Sequence, residues 1–175
     1  MPKKQSGQGE ILNPRVGTPN AVLSHTWSSV HWRNFWIDGR LSGEAAIEMG
    51  LAAEFGVPAI MISGDDKVCA EAVSLAPGIV TAQVKQGLSR YGAILLSREA
   101  AHSLITQKST EAVKRCKEFK PLKINMPVVM KMEYTERAEL PDVSDKPYAK
   151  RLDDRTYEVT GDSFRQAFFR ITNLK

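Results

Sequence analysis

The chain has 175 residues, of which 42% are hydrophobic and 25% charged, with a formal net charge of +4. That is enough apolar material for a core of ordinary domain size, and the composition argues against a disordered chain. No apolar run reaches the roughly 20 residues that span a bilayer, and Met1-Pro2-Lys3-Lys4-Gln5 is not followed by an apolar stretch, so neither a membrane span nor a leader is expected and the chain reads as cytoplasmic.

Cysteine usage narrows the class further. Cys69 and Cys116 fall within helical patterns and lack a C-x-x-C partner, so no disulfide framework or thiolate zinc site is indicated, and both are expected to be buried free thiols. The basic residues are spread along the chain apart from Lys114-Arg115-Cys116-Lys117, which reads as a solvated helix end. Nucleic acid is not the expected partner.

Residues 1 to about 20 are rich in Gly, Pro, Gln, Asn and Lys and carry no hydrophobic period, which predicts an extended or mobile segment. Ala21-Val22-Leu23-Ser24 reads as a short buried strand. Asn34-Phe35-Trp36-Ile37, Asp38-Gly39 and Arg40-Leu41 read as a hairpin, because Asp-Gly favours a tight primed turn. Ser42-Gly43-Glu44 then opens a helix rich in small residues through Phe55, with Gly56 marking its end.

Ala59 to Ser63 is an apolar run of strand length, and Gly64-Asp65-Asp66 caps a helix reaching Ala76. Strands are expected again at Ile79 to Val84 and Ala93 to Leu96, and Ser97-Arg98-Glu99 caps a long helix to about Phe119. Beyond Pro121, Pro127 to Tyr134 alternates like a half-buried strand and Thr156 to Thr160 is a second candidate. Asp162 can cap a final helix whose Phe164, Ala167, Phe168 and Ile171 share a face. These elements predict an α/β fold: a three-layer α/β/α arrangement with a mixed sheet over residues 21–120, then a smaller α+β portion over residues 121–175.

Few residues carry chemistry on their own. His25 follows a predicted buried strand, where an imidazole can be held rigidly, and its pKa suits proton transfer near neutrality; a structural histidine fits the same position. His31 and His102 are weaker candidates. Glu44 at a helix start answers the helix dipole or coordinates a cation, and Asp65 and Asp66 have an N-cap role that needs no further function. Lys85 and Arg90 flank Gln86-Gly87-Leu88-Ser89, read as a basic loop between two strands that can reach a carboxylate or phosphate; it lacks the P-loop spacing. No G-x-S-x-G elbow, H-E-x-x-H helix or dinucleotide fingerprint occurs.

Four segments in register add to this reading. They are Thr18 to His25, Trp36-Ile37-Asp38-Gly39-Arg40-Leu41-Ser42-Gly43-Glu44, Val57 to Asp66, and Ala82 to Arg90. In order and spacing they resemble the zinc-dependent D-aminopeptidases, the family also called dipeptide-transport protein A, from about Thr18 to the end of the chain. The resemblance implies an enzyme with two zinc ions that removes the N-terminal residue of short peptides, with a preference for D-amino acids, and that assembles as a homo-oligomer. It also implies His25 as the catalytic histidine and Glu44 as a zinc ligand.

The same comparison marks departures. The family's other zinc ligands come from an Asp-x-Glu near the start of the full chain, a histidine after a later strand and one shortly upstream of the catalytic histidine; none has a counterpart here, and Asn13-Pro14-Arg15 stands where the last would fall. Catalytic zinc ordinarily takes about three protein ligands. The expectation is therefore the C-terminal, truncated part of a D-aminopeptidase-like metallopeptidase that hydrolyses peptide N-termini, with the activity of this chain alone left open. A non-catalytic peptide-binding or oligomerising module of that family is the alternative.

Overall fold

The computed structural model describes residues 19–22, 26–28, 30–136 and 138–174. The Asp-Gly turn comes first as expected. β1 (Trp32–Ile37) and β2 (Arg40–Leu41) form the hairpin, with Asp38 and Gly39 both at positive φ, 48° and 78°, as a primed turn requires. Asp38 does a second job: its Oδ1 accepts from the Val129 amide at 2.9 Å while its own amide donates to the Val129 carbonyl at 2.8 Å. The turn is thereby stitched to the strand β7 (Val128–Tyr134).

β7 is the centre of the largest sheet. Its residues alternate between buried and half-buried, so Val128, Met130, Met132 and Tyr134 line one face, as a period of two dictates. With β8 (Ala149–Arg151) and β9 (Thr156–Gly161) it completes a five-stranded antiparallel sheet in the order β2-β1-β7-β9-β8. α4 (Phe164–Thr172) lays Phe164, Ala167, Phe168 and Ile171 onto this face, and Trp32, Phe35, Tyr157 and Val159 complete the core. Burying a side chain of this size contributes roughly 1.5–3 kcal/mol, so this layer holds the fold.

α1 (Glu44–Glu54) connects that core to a smaller one. Ile47 belongs to the main cluster, whereas Met49 packs with Ala72 and Ile79 in a second. The small residues of α1 allow this double contact. Beyond α1, β3 (Met61–Gly64) pairs parallel with β4 (Val80–Gln83), and α2 (Asp66–Leu75) connects the two. α3 (Arg98–Lys114) packs on both strands.

Several expectations change. The α/β character holds, but among the described residues parallel and antiparallel pairing fall in separate sheets rather than one mixed sheet. The five-stranded sheet joins residues 32–41 to residues 128–161, across the change of texture near Pro121. The segment Lys85–Ser89, read as a loop, is strand β5, paired antiparallel with β6 (Gly92–Leu95).

Ala21 is buried, yet Ala21 and Val22 are not in a strand; Leu23 and Ser24 lie outside the described residues. α3 ends at Lys114, and a 3₁₀ turn over Cys116–Glu118 follows, so Cys116 is exposed while Cys69 is buried as expected. Ser163, not Asp162, caps α4, its Oγ accepting from the Gln166 amide. No described helix is long and apolar enough to cross a membrane.

Candidate functional site at the starts of two helices

The start of α1 and the helix α2 bring four carboxylates to bear on neighbouring backbone. The first is Glu44, in the first turn of α1, where a negative charge complements the helix dipole. Its Oε1 accepts from the Trp27 amide at 2.9 Å. Trp27 has a left-handed backbone with φ of 56° and packs its ring edge-on against Phe168, so the bond reaches a residue anchored on the main core.

Gly43, the residue before Glu44, has no side chain to cap α1. Its amide instead donates at 3.1 Å to Oε1 of Glu71, a carboxyl on α2 that is 1% exposed. A Cβ at position 43 would meet that oxygen at 3.0 Å, so glycine is what lets the two helices approach. Burial pushes the Glu71 carboxyl up to about 7, against the opposing pulls of the Gly43 amide and Arg40, with Glu44 adding to the rise. A carboxyl in that range is poised to exchange protons near neutrality. Its Oε2 and the buried Thr26 Oγ1 lack hydrogen-bond partners among the described residues.

The other two carboxylates begin α2. Asp65 caps the helix, Oδ1 accepting from the Lys67 and Val68 amides at 3.1 and 2.9 Å, while Oδ2 accepts from the Val22 amide at 3.0 Å. Asp66 accepts from the Gly87 amide on β5 and pairs with Lys67; the Lys67 hydrogen bond is the chief reason its carboxyl is held below the usual range.

Of the residues singled out in the sequence, Glu44 accepts from Trp27, Asp65 from Val22, and Asp66 from Gly87, which lies against Asn20. His25 lies outside the described residues. His31 and His102 are exposed, His31 hydrogen-bonded to Ser28 and His102 on α3. Arg90 sits over the Tyr91 ring on the exposed β5–β6 turn, and Lys85 begins β5. Sequence reasoning missed Glu71. The signal was present, since position 71 shares a helical face with Val68 and Leu75, where a carboxylate is out of place.

A cavity of about 220 Å3 adjoins this region, with Arg40, Ser42, Ala46 and Phe164 among its lining residues. A larger open groove of about 790 Å3, lined by Trp36, Lys131, Glu133 and Arg155 among others, contains none of the four carboxylates. Among the described residues no group of three or more His, Cys, Asp or Glu side chains is arranged to hold a metal ion. By themselves the described residues therefore do not fit a catalytic zinc.

A family model described as D-aminopeptidase matches residues 14–173. The D-aminopeptidase of Bacillus subtilis (strain 168) is 37% identical over 108 residues, which are 62% of this chain and 39% of that protein. Among solved structures, the Zn-dependent D-aminopeptidase DppA from Bacillus subtilis, described as a self-compartmentalizing protease, matches with a TM-score of 0.81 and 28% identity, over 91% of this chain and 59% of its own. The chain thus spans well under two thirds of either relative.

Proposed function

The chain belongs to the D-aminopeptidase family, and from that premise we propose that it carries part of a site that hydrolyses the N-terminal residue of short peptides, with His25 as its catalytic histidine and Glu44 as a metal ligand. The observation that carries this reading is the bond from the Trp27 amide to Glu44. Trp27 stands two residues after His25 in the sequence, and its amide is bound at the start of the helix that bears the carboxylate.

His25 supplies a group that accepts or donates a proton near neutrality. Zinc is the metal of the solved relative, and in this chain Glu44 is the carboxylate offered to it. Further ligands have to come from residues outside those described, from a second copy or from another polypeptide. Self-association is part of the proposal. It is supported by the β5–β6 hairpin, which exposes Leu88, Tyr91, Ile94 and Leu95, and by the self-compartmentalizing character of the relative.

The test is hydrolysis of a D-alanyl chromogenic amide after zinc reconstitution, beside a His25→Ala control. Hydrolysis that needs both zinc and His25 supports the reading, and its absence at every protein concentration rejects catalysis by this chain. The absence of a three-ligand cluster among the described residues favours a second reading, a non-catalytic peptide-binding or oligomerising module. Retained self-association without zinc uptake is the result that reading requires.

A further inference from the structure

The cavity of about 220 Å3 beside α1 lies on the seam between the two cores. Ile37, Ile124 and Phe164 belong to or pack against the main cluster, while Leu75 and Leu122 pack against the second, and all five line the cavity. Ala46, 2% exposed, adds a wall from α1. An apolar space of this kind, with a few polar groups at its margin, is the usual form of a small-molecule site. Pockets for larger ligands run from about 300 Å3 upward, so an occupant here is no bigger than an amino acid.

The charge at the margin selects the ligand's sign. Arg40 and Lys123 both line the cavity, and neither forms an ion pair among the described residues. Arg40 is held from two sides: the Ser42 hydroxyl donates to its carbonyl at 2.9 Å, and its own Nη2 donates to Ser74 Oγ at 2.9 Å. Ser74 Oγ donates onward to the Glu71 carbonyl at 2.6 Å, which ties the guanidinium to α2. Nε and Nη1 donate to no described residue. A guanidinium fixed through one nitrogen keeps the others free for a carboxylate, and little side-chain freedom is left to lose on binding. Asp38 is the one acid of the lining, and its Oδ1 is already engaged by the Val129 amide. Glu71, which feels the charge of Arg40, is not part of the lining.

We propose that this cavity binds a small monocarboxylate with an apolar body, its carboxylate on Arg40 with Lys123 beside it and its hydrocarbon part among Ala46, Leu75 and Phe164. The site stands apart from the hydrolase reading, since Glu44 is not among the lining residues. A ligand in the seam touches both cores at once, and one that binds only the folded chain stabilises it in proportion to its occupancy.

The test uses the full chain, with 4-methylpentanoate as the probe and 4-methylpentanamide as its neutral isostere. Saturable shifts are expected at the methyl resonances of Ile37, Leu75 and Ile124, together with a urea midpoint that rises with probe concentration. The amide on wild type, and the acid on Arg40→Gln, are each expected to bind about ten-fold or more weakly, the size of losing a charge-assisted hydrogen bond. Arg40 is half-buried and glutamine keeps an NH2 group, so this variant retains the circular dichroism spectrum of the wild type. Ala46→Leu fills the space from α1 and is expected to abolish the shifts.

No saturable shift at tens of millimolar, equal affinity for acid and amide, unchanged affinity in Arg40→Gln, or shifts confined to methyls elsewhere overturns the proposal. If Ala46→Leu fails to fold, the amide and Arg40→Gln still decide it.

Discussion

Gly50 lies against the ring of Phe164: a Cβ built at position 50 would stand 2.2 Å from Cε2 and Cζ of that ring. The contact lets α1 settle onto α4, and Phe164 is fully buried in the main core. Alanine is the better helix former by about 1 kcal/mol, but overpacking a closed core typically costs 1–3 kcal/mol. We expect Gly50→Ala to destabilise the chain by about 1–2 kcal/mol net, read as a lower urea midpoint. An unchanged or higher midpoint contradicts the close packing.

The Asp38 side chain is expected to matter through Val129. Asp38→Ala leaves the Val129 amide without its acceptor and puts alanine at a positive φ, where asparagine sits comfortably. A loss of about 2 kcal/mol is expected for alanine and less than half of that for asparagine, measured by chemical denaturation. Equal losses from both would show that the side-chain oxygen is not what holds the turn to β7.

Glu71 gives the chain a pH dependence of definite sign. Its carboxyl titrates near 7 when folded and near 4.5 when unfolded, so between those values the folded state keeps a proton that the unfolded state has released. Stability is then greatest below pH 4.5 as far as this group is concerned, and declines as pH rises through about 7, by on the order of 3 kcal/mol in all. Glu71→Gln keeps an oxygen for the Gly43 amide and should flatten this decline. Comparing unfolding free energies of the two proteins at pH 5 and 8 checks it; parallel curves rule out Glu71 as the source.

Glu44→Gln separates charge from hydrogen bonding at the start of α1. Glutamine can still accept from Trp27, so the fold should lose less than about 1 kcal/mol, whereas a neutral amide is a poor zinc ligand. Zinc-dependent hydrolysis by the reconstituted protein should fall by about 100-fold or more. Full activity in the variant would reduce Glu44 to a dipole and loop contact.

Self-association should respond to the β5–β6 hairpin. Tyr91 is 82% and Leu95 69% exposed, more than a lone chain gains by leaving bare. Replacing both with serine should lower the solution mass seen by light scattering at tens of micromolar and leave the circular dichroism spectrum in place. A mass unaffected by the change would place the association surface elsewhere.

The parts of the fold that were readable are those where one residue type decides the outcome. The alternation at Val128, Met130 and Met132 announces β7, and Asp38-Gly39 announces its turn, because period and positive φ are local properties. Lys85–Ser89 reads as a loop because Gly87 and its polar neighbours mimic one; the glycine is needed instead where the Asn20 carbonyl comes against β5. Ala149–Arg151 is a three-residue edge strand with no pattern to read.

Asp162 and Ser163 are both competent caps, and the choice fell to Ser163 while Gln166 Oε1 accepts from the Asp162 amide. At the site, Glu44 was visible in the sequence but its bond to Trp27 was not, since a contact between a side chain and a distant amide leaves no trace in spacing. The family resemblance, carried by segments in register, held. Asp65 looked fully explained as a cap, and its second oxygen could be seen only in three dimensions.

The sheet order carries a consequence for synthesis. β1 is made well before β7, yet the two pair directly, and Phe35 is opposite Met132. Until that stretch leaves the ribosome, Trp32 and Phe35 lack the β7 side of their core, and a strand waiting for a distant partner is exposed to the wrong ones. Completion of this sheet therefore waits for β7, and the nascent hairpin stays open to wrong partners until then.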